Sequence, residues 1–168
     1  GEAYQSQSAF DKAAAAFEQA LKLNPKLSGP TTKLVELYAG PLHNIDKALL
    51  YAKKARELAP NDPQITLLLG KVAYQSGNFV WSYSLLQEAS RERKDDAVVL
   101  YSLGWSAYAM GKINEARNLM QKVAAAGGNV AETAEAKKFL KFTALEQDPG
   151  QLDAAEGEIT KELGTNGD

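Results

Sequence analysis

A small residue recurs along this chain at a nearly constant interval of 34 or 35 positions. The small residue of each unit is Ala13, Ala48, Ser82 or Ala116. Segments 10–25 and 45–60 also resemble each other closely, and each ends in a proline. A period of this length is typical of stacked repeats, in which each unit buries its apolar face against its neighbours.

The third and fourth units align with each other without gaps. Segments 63–96 and 97–130 are each 34 residues long, and Leu69-Gly70 of the first falls on Leu103-Gly104 of the second. Because two adjacent units keep the same register over their whole length, we interpret the period as a structural repeat.

The spacing inside each unit predicts helices. In segment 113–123 apolar residues recur at intervals of three and four, the spacing of one helix face. Gly77 and Gly111 are typical of helix ends, and Asp62 and Asp96 are typical of N-caps. We therefore predict an all-α chain of about ten helices. They span roughly 1–7, 10–23, 30–40, 45–58, 63–76, 79–93, 97–110, 113–125, 131–146 and 149–163.

These units resemble the tetratricopeptide repeat, a helix–turn–helix unit of 34 residues. Its signature combines Leu-Gly in the first helix with a small residue and a large apolar residue, four positions apart, in the second. One copy here has Leu103-Gly104 followed by Ala116 and Met120, and another has Leu69-Gly70. The resemblance implies a right-handed superhelical solenoid of antiparallel helix hairpins.

The resemblance also implies a single domain over residues 1–168. Its units are a partial repeat at about 1–27, repeats at 28–62, 63–96 and 97–130, and a weak fifth hairpin with a C-terminal cap at 131–168. Gly1 and Tyr4 fit the same frame, which predicts that the chain begins within a first helix. We expect Gly70 and Gly104 to let neighbouring helices approach closely.

Composition and charge argue against several classes of function. The net charge of −2 predicts neither a nucleic-acid partner nor an anionic membrane surface. No apolar run is long enough for membrane insertion. The chain has no cysteine, and its one histidine, His43, lies in a turn without a partner for acid–base chemistry. We therefore expect no enzyme activity, no cofactor and no metal.

In tetratricopeptide arrays the first helices line a concave groove, so the resemblance assigns groove positions to this chain. They are Gln64, Leu67, Lys71, Tyr74 and Gln75, then Val98, Tyr101, Trp105, Tyr108 and Ala109, with Thr32, Glu36 and Ala39 in the second repeat. Clustered aromatic side chains offer a large contact area at a low entropic cost. The predicted partner-binding residues are therefore Leu67, Lys71, Tyr74, Tyr101, Trp105 and Tyr108.

The function predicted from these positions is a scaffold that binds a peptide or protein segment in its groove. One alternative is self-assembly, in which copies pack end to end or groove to helix as a homo-oligomer. A second alternative is that the chain's own C-terminal helices cover the aromatic residues. The subtype of the family that grips chaperone carboxylates needs Lys, Asn and Arg in the groove. That set is absent here, so we do not expect that ligand.

Overall fold

The computed structural model describes residues 2–126 and 131–145, and within these ranges it contains eight α-helices. Side chains are described for residues 6–126 and 131–144. The helices are α1 (Glu2–Leu23), α2 (Ser28–Ala39), α3 (Ile45–Leu58), α4 (Pro63–Gln75), α5 (Phe79–Glu92), α6 (Ala97–Ala109), α7 (Ile113–Ala125) and α8 (Ala131–Leu145).

Each helix packs against the next one along the chain, and α2, α4, α6 and α8 also contact one another in sequence. Short turns make consecutive helices antiparallel, so the pairs α2–α3, α4–α5 and α6–α7 are hairpins. The stack confirms the predicted all-α solenoid of helix hairpins.

The turns and caps have the geometry that the sequence predicts. The Asp62 side chain accepts hydrogen bonds from the backbone N–H groups of Gln64 and Ile65, with Pro63 at the first helical position. The Asp96 side chain accepts from the backbone of α6 in the same way. Gly77 and Gly111 follow α4 and α6 with φ angles of 80° and 74°, a conformation that favours glycine.

The first helix differs from the prediction. Separate helices at 1–7 and 10–23 are wrong, because α1 runs without a break from Glu2 to Leu23. The intervening segment contains neither glycine nor proline, so nothing in it ends a helix. Residues 6–12 are exposed and Ala13 is half-buried, whereas the equivalent Ala48 and Ala116 are fully buried.

At the other end, α8 confirms the predicted helix at 131–146. The predicted helix at 149–163 lies outside the described residues. The division of the chain into repeats, including a fifth hairpin and a cap, stays a prediction.

The core consists of two clusters of buried side chains along the stack. The first centres on α2 and α4 and includes Leu34, Val35 and Leu69. The second joins α5, α6, α7 and α8 and includes Leu86 and Met120. Each helix therefore buries one face in a core that continues from hairpin to hairpin.

Two glycines lie at close contacts between helices, one in the α4–α5 hairpin and one in the α6–α7 hairpin. A Cβ atom at Gly70 would lie 2.8 Å from Leu86 Cγ and 2.9 Å from Leu86 Cδ2. A Cβ atom at Gly104 would lie 2.9 Å from Met120 Cε. This agrees with the expectation that both glycines allow close approach, here between the two helices of one hairpin.

We predict that Gly70→Ala and Gly104→Ala differ in their cost. At Gly70 the clash is with the branch point of a fully buried leucine, and overpacking of this kind costs about 1–3 kcal/mol. At Gly104 the clash is with the flexible end of methionine, and the gain in helix propensity of about 1 kcal/mol offsets it. Urea unfolding should therefore show a clear loss of stability for Gly70→Ala only. Equal losses in the two variants would contradict this account.

A polar cluster joins α1, α2 and α3 on one side of the stack. Tyr38 Oη donates a hydrogen bond to Glu18 Oε1 at 2.7 Å, and Tyr51 Oη donates to the same oxygen at 3.2 Å. Lys47 Nζ donates to Tyr38 Oη at 3.0 Å and lies 3.4 Å from Glu18 Oε1. The hydrogen bond from Tyr38 is the main reason that the pKa of Glu18 lies below its ordinary value, and Lys47 lowers it further against the opposing effect of burial.

We predict that this cluster makes stability depend on pH. A carboxyl group whose pKa is lowered by folding stabilises the protein above its unfolded pKa of about 4.3, and the contribution is lost as the pH falls through the folded value. Glu18→Gln should therefore be less stable than the parent chain at neutral pH and equally stable in strong acid. Chemical unfolding at several pH values measures the difference, with the exposed Glu57→Gln as the matched control. A difference that does not change with pH would contradict the prediction.

Candidate functional site

A pocket of about 400 Å³ lies between α4 and α6. Its lining consists of Lys71, Tyr74 and Gln75 from α4, Tyr101, Ser102 and Trp105 from α6, and Leu86 from α5. Helices α4 and α6 are the first helices of adjacent hairpins, so the pocket lies between two neighbouring hairpins of the stack.

Helical spacing brings the lining residues onto facing surfaces. Lys71, Tyr74 and Gln75 are three and four positions apart, so they share one face of α4. Tyr101 and Trp105 share one face of α6 for the same reason. Leu86 is fully buried between them and forms the floor of the pocket.

The walls are aromatic and the rim is polar. Tyr74, Tyr101 and Trp105 are half-buried, whereas Lys71 and Gln75 are exposed. Burial raises the pKa of the Tyr74 hydroxyl, and the nearby Tyr101 raises it further. This hydroxyl therefore remains protonated at neutral pH and is able to donate a hydrogen bond to a ligand.

Buried serine hydroxyls join the three helices that line this pocket. Ser82 Oγ of α5 donates to the Gly70 carbonyl of α4 at 2.8 Å and lies 2.8 Å from Ser106 Oγ of α6. Ser106 Oγ also lies 3.1 Å from the Ser102 carbonyl. The two serines provide two hydroxyl hydrogens for these three contacts. The resulting network links α4, α5 and α6.

An aromatic cluster continues from the pocket towards α8. The ring of Trp105 lies 6.3 Å from Tyr101 and 5.9 Å from Tyr108, both in edge-on arrangements. Phe139 of α8 lies 5.2 Å from Trp105 and 5.2 Å from Tyr108. Helix α8 therefore covers one side of the aromatic cluster, and the side that faces α4 borders the pocket.

Four of the six predicted site residues line the pocket together: Lys71, Tyr74, Tyr101 and Trp105. Tyr108 lies beside them but packs against Phe139. The sequence predicts that Leu67 contacts a partner. In the structure its side chain is only 3% exposed, so it offers almost no contact surface. It belongs to the buried cluster that also contains Val99 and Leu103, so it supports the fold beneath the groove.

Sequence reasoning did not assign Ser102, Leu86 or Phe139 to the site. Ser102 follows Tyr101 directly, and Leu86 lies four positions after Ser82, where the repeat signature has a large apolar residue. Phe139 lies in a region where the repeat register is weak, so no aligned position indicated it. Only the packing of α8 against α6 brings its ring to Trp105.

Metal sites and membrane spans are two further possibilities in the described part of the chain. No three His, Cys, Asp or Glu residues come together there in an arrangement that could hold a metal ion. No described helix is both long enough and apolar enough to cross a membrane.

The fold and part of the sequence resemble known proteins. Residues 42–123 match the family model for anaphase-promoting complex, cyclosome, subunit 3. A structure of MamA from Desulfovibrio magneticus RS-1 matches with a TM-score of 0.76 and 16% identity, over 98% of this chain and 90% of that one. YrrB, described as a TPR protein with an unusual peptide-binding site, matches with a TM-score of 0.69 and 20% identity, over 80% and 69%. This chain has the fold of tetratricopeptide-repeat proteins.

A second MamA crystal structure matches with a TM-score of 0.65 and 21% identity, over 89% of this chain and 94% of that one. At these identities the likeness to solved structures establishes the tetratricopeptide fold of the chain. No curated protein sequence gives a significant match.

We predict that Phe139 keeps Trp105 partly shielded from water. Phe139→Ala should cost about 3–5 kcal/mol of stability, as expected for a buried phenylalanine. In a Trp81→Phe background it should also shift the emission of Trp105 to longer wavelength. Phe142→Ala is the matched control, because that side chain is on the same helix and 57% exposed. Unchanged emission in the folded Phe139→Ala variant would contradict the packing described here.

Proposed function

We propose that this protein is a non-catalytic interaction scaffold whose concave groove binds a peptide or protein segment. The observation that carries the proposal is the open pocket of about 400 Å³ between α4 and α6, with three half-buried aromatic walls. A pocket of this size accommodates one or two amino-acid side chains of a partner.

The chemistry of the lining suits a peptide. Tyrosine and tryptophan combine a broad apolar surface with a polar tip, which explains their frequent role as energetic centres of protein interfaces. Gln75 and the Tyr74 hydroxyl offer hydrogen-bond donors close to these apolar walls. A peptide could therefore bury an apolar side chain while its polar backbone stays hydrogen-bonded.

The surroundings of the pocket favour a preformed site. Gly70 allows α5 to lie close to α4, and the Ser82 and Ser106 hydroxyls join three helices. A rigid pocket does not have to be ordered when the partner binds, so less binding free energy is lost. The description of YrrB as a TPR protein with a peptide-binding site supports the proposal at the level of fold analogy.

The ionisable groups of the pocket support a non-catalytic role. Its lining contains one lysine and two tyrosines but no carboxylate or imidazole. General acid–base catalysis needs a group that changes protonation near neutral pH and lies within reach of the substrate. We accordingly propose a protein or peptide partner, with no nucleic-acid partner and no insertion into a membrane.

Self-assembly is the second candidate function, and exposed apolar residues near both ends of the described stack favour it. Phe10 and Leu23 of α1 are 37% and 82% exposed, and Phe142 of α8 is also largely exposed. Copies stacked end to end would cover such residues, as neighbouring repeats do within one chain.

We predict that peptides selected from a random library on the parent protein depend on the pocket. Tyr101→Ala should weaken their binding about tenfold or more, because truncation of an interface aromatic residue commonly costs 2 kcal/mol or more at an energetic centre. Val80→Ala, which changes an exposed side chain on α5, should leave the affinity unchanged. Fluorescence polarisation measures both, and thermal unfolding confirms that the variants are folded. Equal affinities for the parent and folded Tyr101→Ala would contradict groove binding.

Sedimentation equilibrium separates the two candidate functions. If the groove binds other proteins, the parent chain should remain monomeric across the concentrations used for peptide binding. If copies assemble through the ends of the stack, Leu23→Gln and Phe142→Gln should lower the average mass. A concentration-dependent mass that these substitutions abolish would favour self-assembly.

A further inference from the structure

We infer that the pocket between α4 and α6 selects a partner segment in which a bulky apolar side chain stands next to a carboxylate. This inference rests on the proposed function and specifies the chemistry of its ligand. The aromatic walls would hold the apolar side chain, and Lys71 at the rim would hold the carboxylate.

The charge of the pocket favours an anionic ligand. Lys71 is exposed and forms no ion pair with any other residue in the described part of the chain. The pocket lining contains no acid. Glu36, at the corresponding groove position of α2, is already paired with Lys33 at 2.6 Å. The pocket therefore has one uncompensated positive charge, which favours an anionic group on the ligand.

The arrangement of the lining residues is the second argument. Lys71 lies one helical turn from Tyr74 and Gln75 on the same face of α4, while Tyr101 and Trp105 line the opposite side. A side chain that enters between Tyr74 and Trp105 thus places its neighbouring residue within the reach of Lys71. The flexible four-carbon stem of lysine tolerates a carboxylate on either side of the apolar residue.

The neutral donors at the rim strengthen this preference. The Tyr74 hydroxyl and the Gln75 side-chain amide both donate hydrogen bonds, and both lie beside Lys71. A carboxylate accepts several hydrogen bonds and donates none, so all three groups match it. An amide in the same place presents one acceptor oxygen where a carboxylate presents two, and an ammonium group would face the like charge of Lys71.

Residues 146–168 of the chain have the same combination of acidic and apolar residues as the proposed ligand, with seven acidic side chains, one lysine, two leucines and one isoleucine. They could therefore compete with a partner for the same pocket. The proposed occupant is a segment of a separate partner, and substitutions in residues 146–168 measure the competition.

The experiment uses four short peptides with blocked ends that differ only at a central pair: Asp-Phe, Asn-Phe, Lys-Phe and Asp-Ala. Each is titrated into the 168-residue chain at low ionic strength, and amide chemical shifts in NMR spectra give both the affinity and the site. Asp-Phe should bind most tightly, about fivefold more tightly than Asn-Phe, because an exposed ion pair contributes up to about 1 kcal/mol. This advantage should shrink in high salt. Asp-Ala should bind weakly, because it lacks the apolar anchor.

Variants of Lys71 test whether this lysine recognises the charge of the peptide. Lys71→Gln should remove the preference for Asp-Phe over Asn-Phe, and Lys71→Glu should reverse it in favour of Lys-Phe. Lys122→Gln is the matched control, because this lysine is exposed on α7 and is not among the pocket residues. It should leave all four affinities unchanged.

Different results would contradict different parts of the proposal. Equal binding of Asp-Phe and Asn-Phe at the pocket would overturn the charge preference and leave the groove as a binding site. Binding that does not perturb α4 and α6, or that Tyr101→Ala does not weaken, would overturn the proposed function as well. If Glu156→Gln, Glu158→Gln and Glu162→Gln together raise the affinity for Asp-Phe, the chain's own C-terminal residues occupy the pocket and a separate partner does not.

Discussion

The close contact between a glycine in one helix and a large side chain in the next sets the dimensions of this stack. Gly70 faces Leu86 within the α4–α5 hairpin, and Gly104 faces Met120 within the α6–α7 hairpin. Because glycine has no side chain, Leu86 and Met120 pack directly against the backbone of the neighbouring helix. Side chains from the first helices of these two adjacent hairpins form opposite walls of one pocket.

The pocket depends on this packing in a second way, through its floor. Leu86 fills the space that Gly70 leaves open, and it also closes the bottom of the pocket. The Ser82 and Ser106 hydroxyls then connect α4, α5 and α6 through hydrogen bonds in the same buried region. The features that stabilise the fold here are therefore the ones that hold the walls in place, which is why we regard the pocket as preformed.

The repeat frame predicted much of the candidate site, because groove positions recur with the period of the helices. It assigned Lys71, Tyr74, Tyr101 and Trp105 to the groove, and the structure brings these four together. It was less informative where the period fails. Without an aligned copy beyond residue 130, no sequence signal indicated that Phe139 packs against Trp105. A frame carried over to residues 1–7 likewise predicted a break in α1 that no residue there causes.

The sequence by itself determined the helices, their caps and the order in which they stack, because these follow from local spacing and from residues close together in the chain. Asp96 caps α6 through its own neighbours, and Gly111 ends the following turn in the same local way. Only the tertiary structure decided which groove residues are walls, floor or core. Leu67 is buried and Lys71, four positions later, is exposed, because the packing of other helices covers one and leaves the other open.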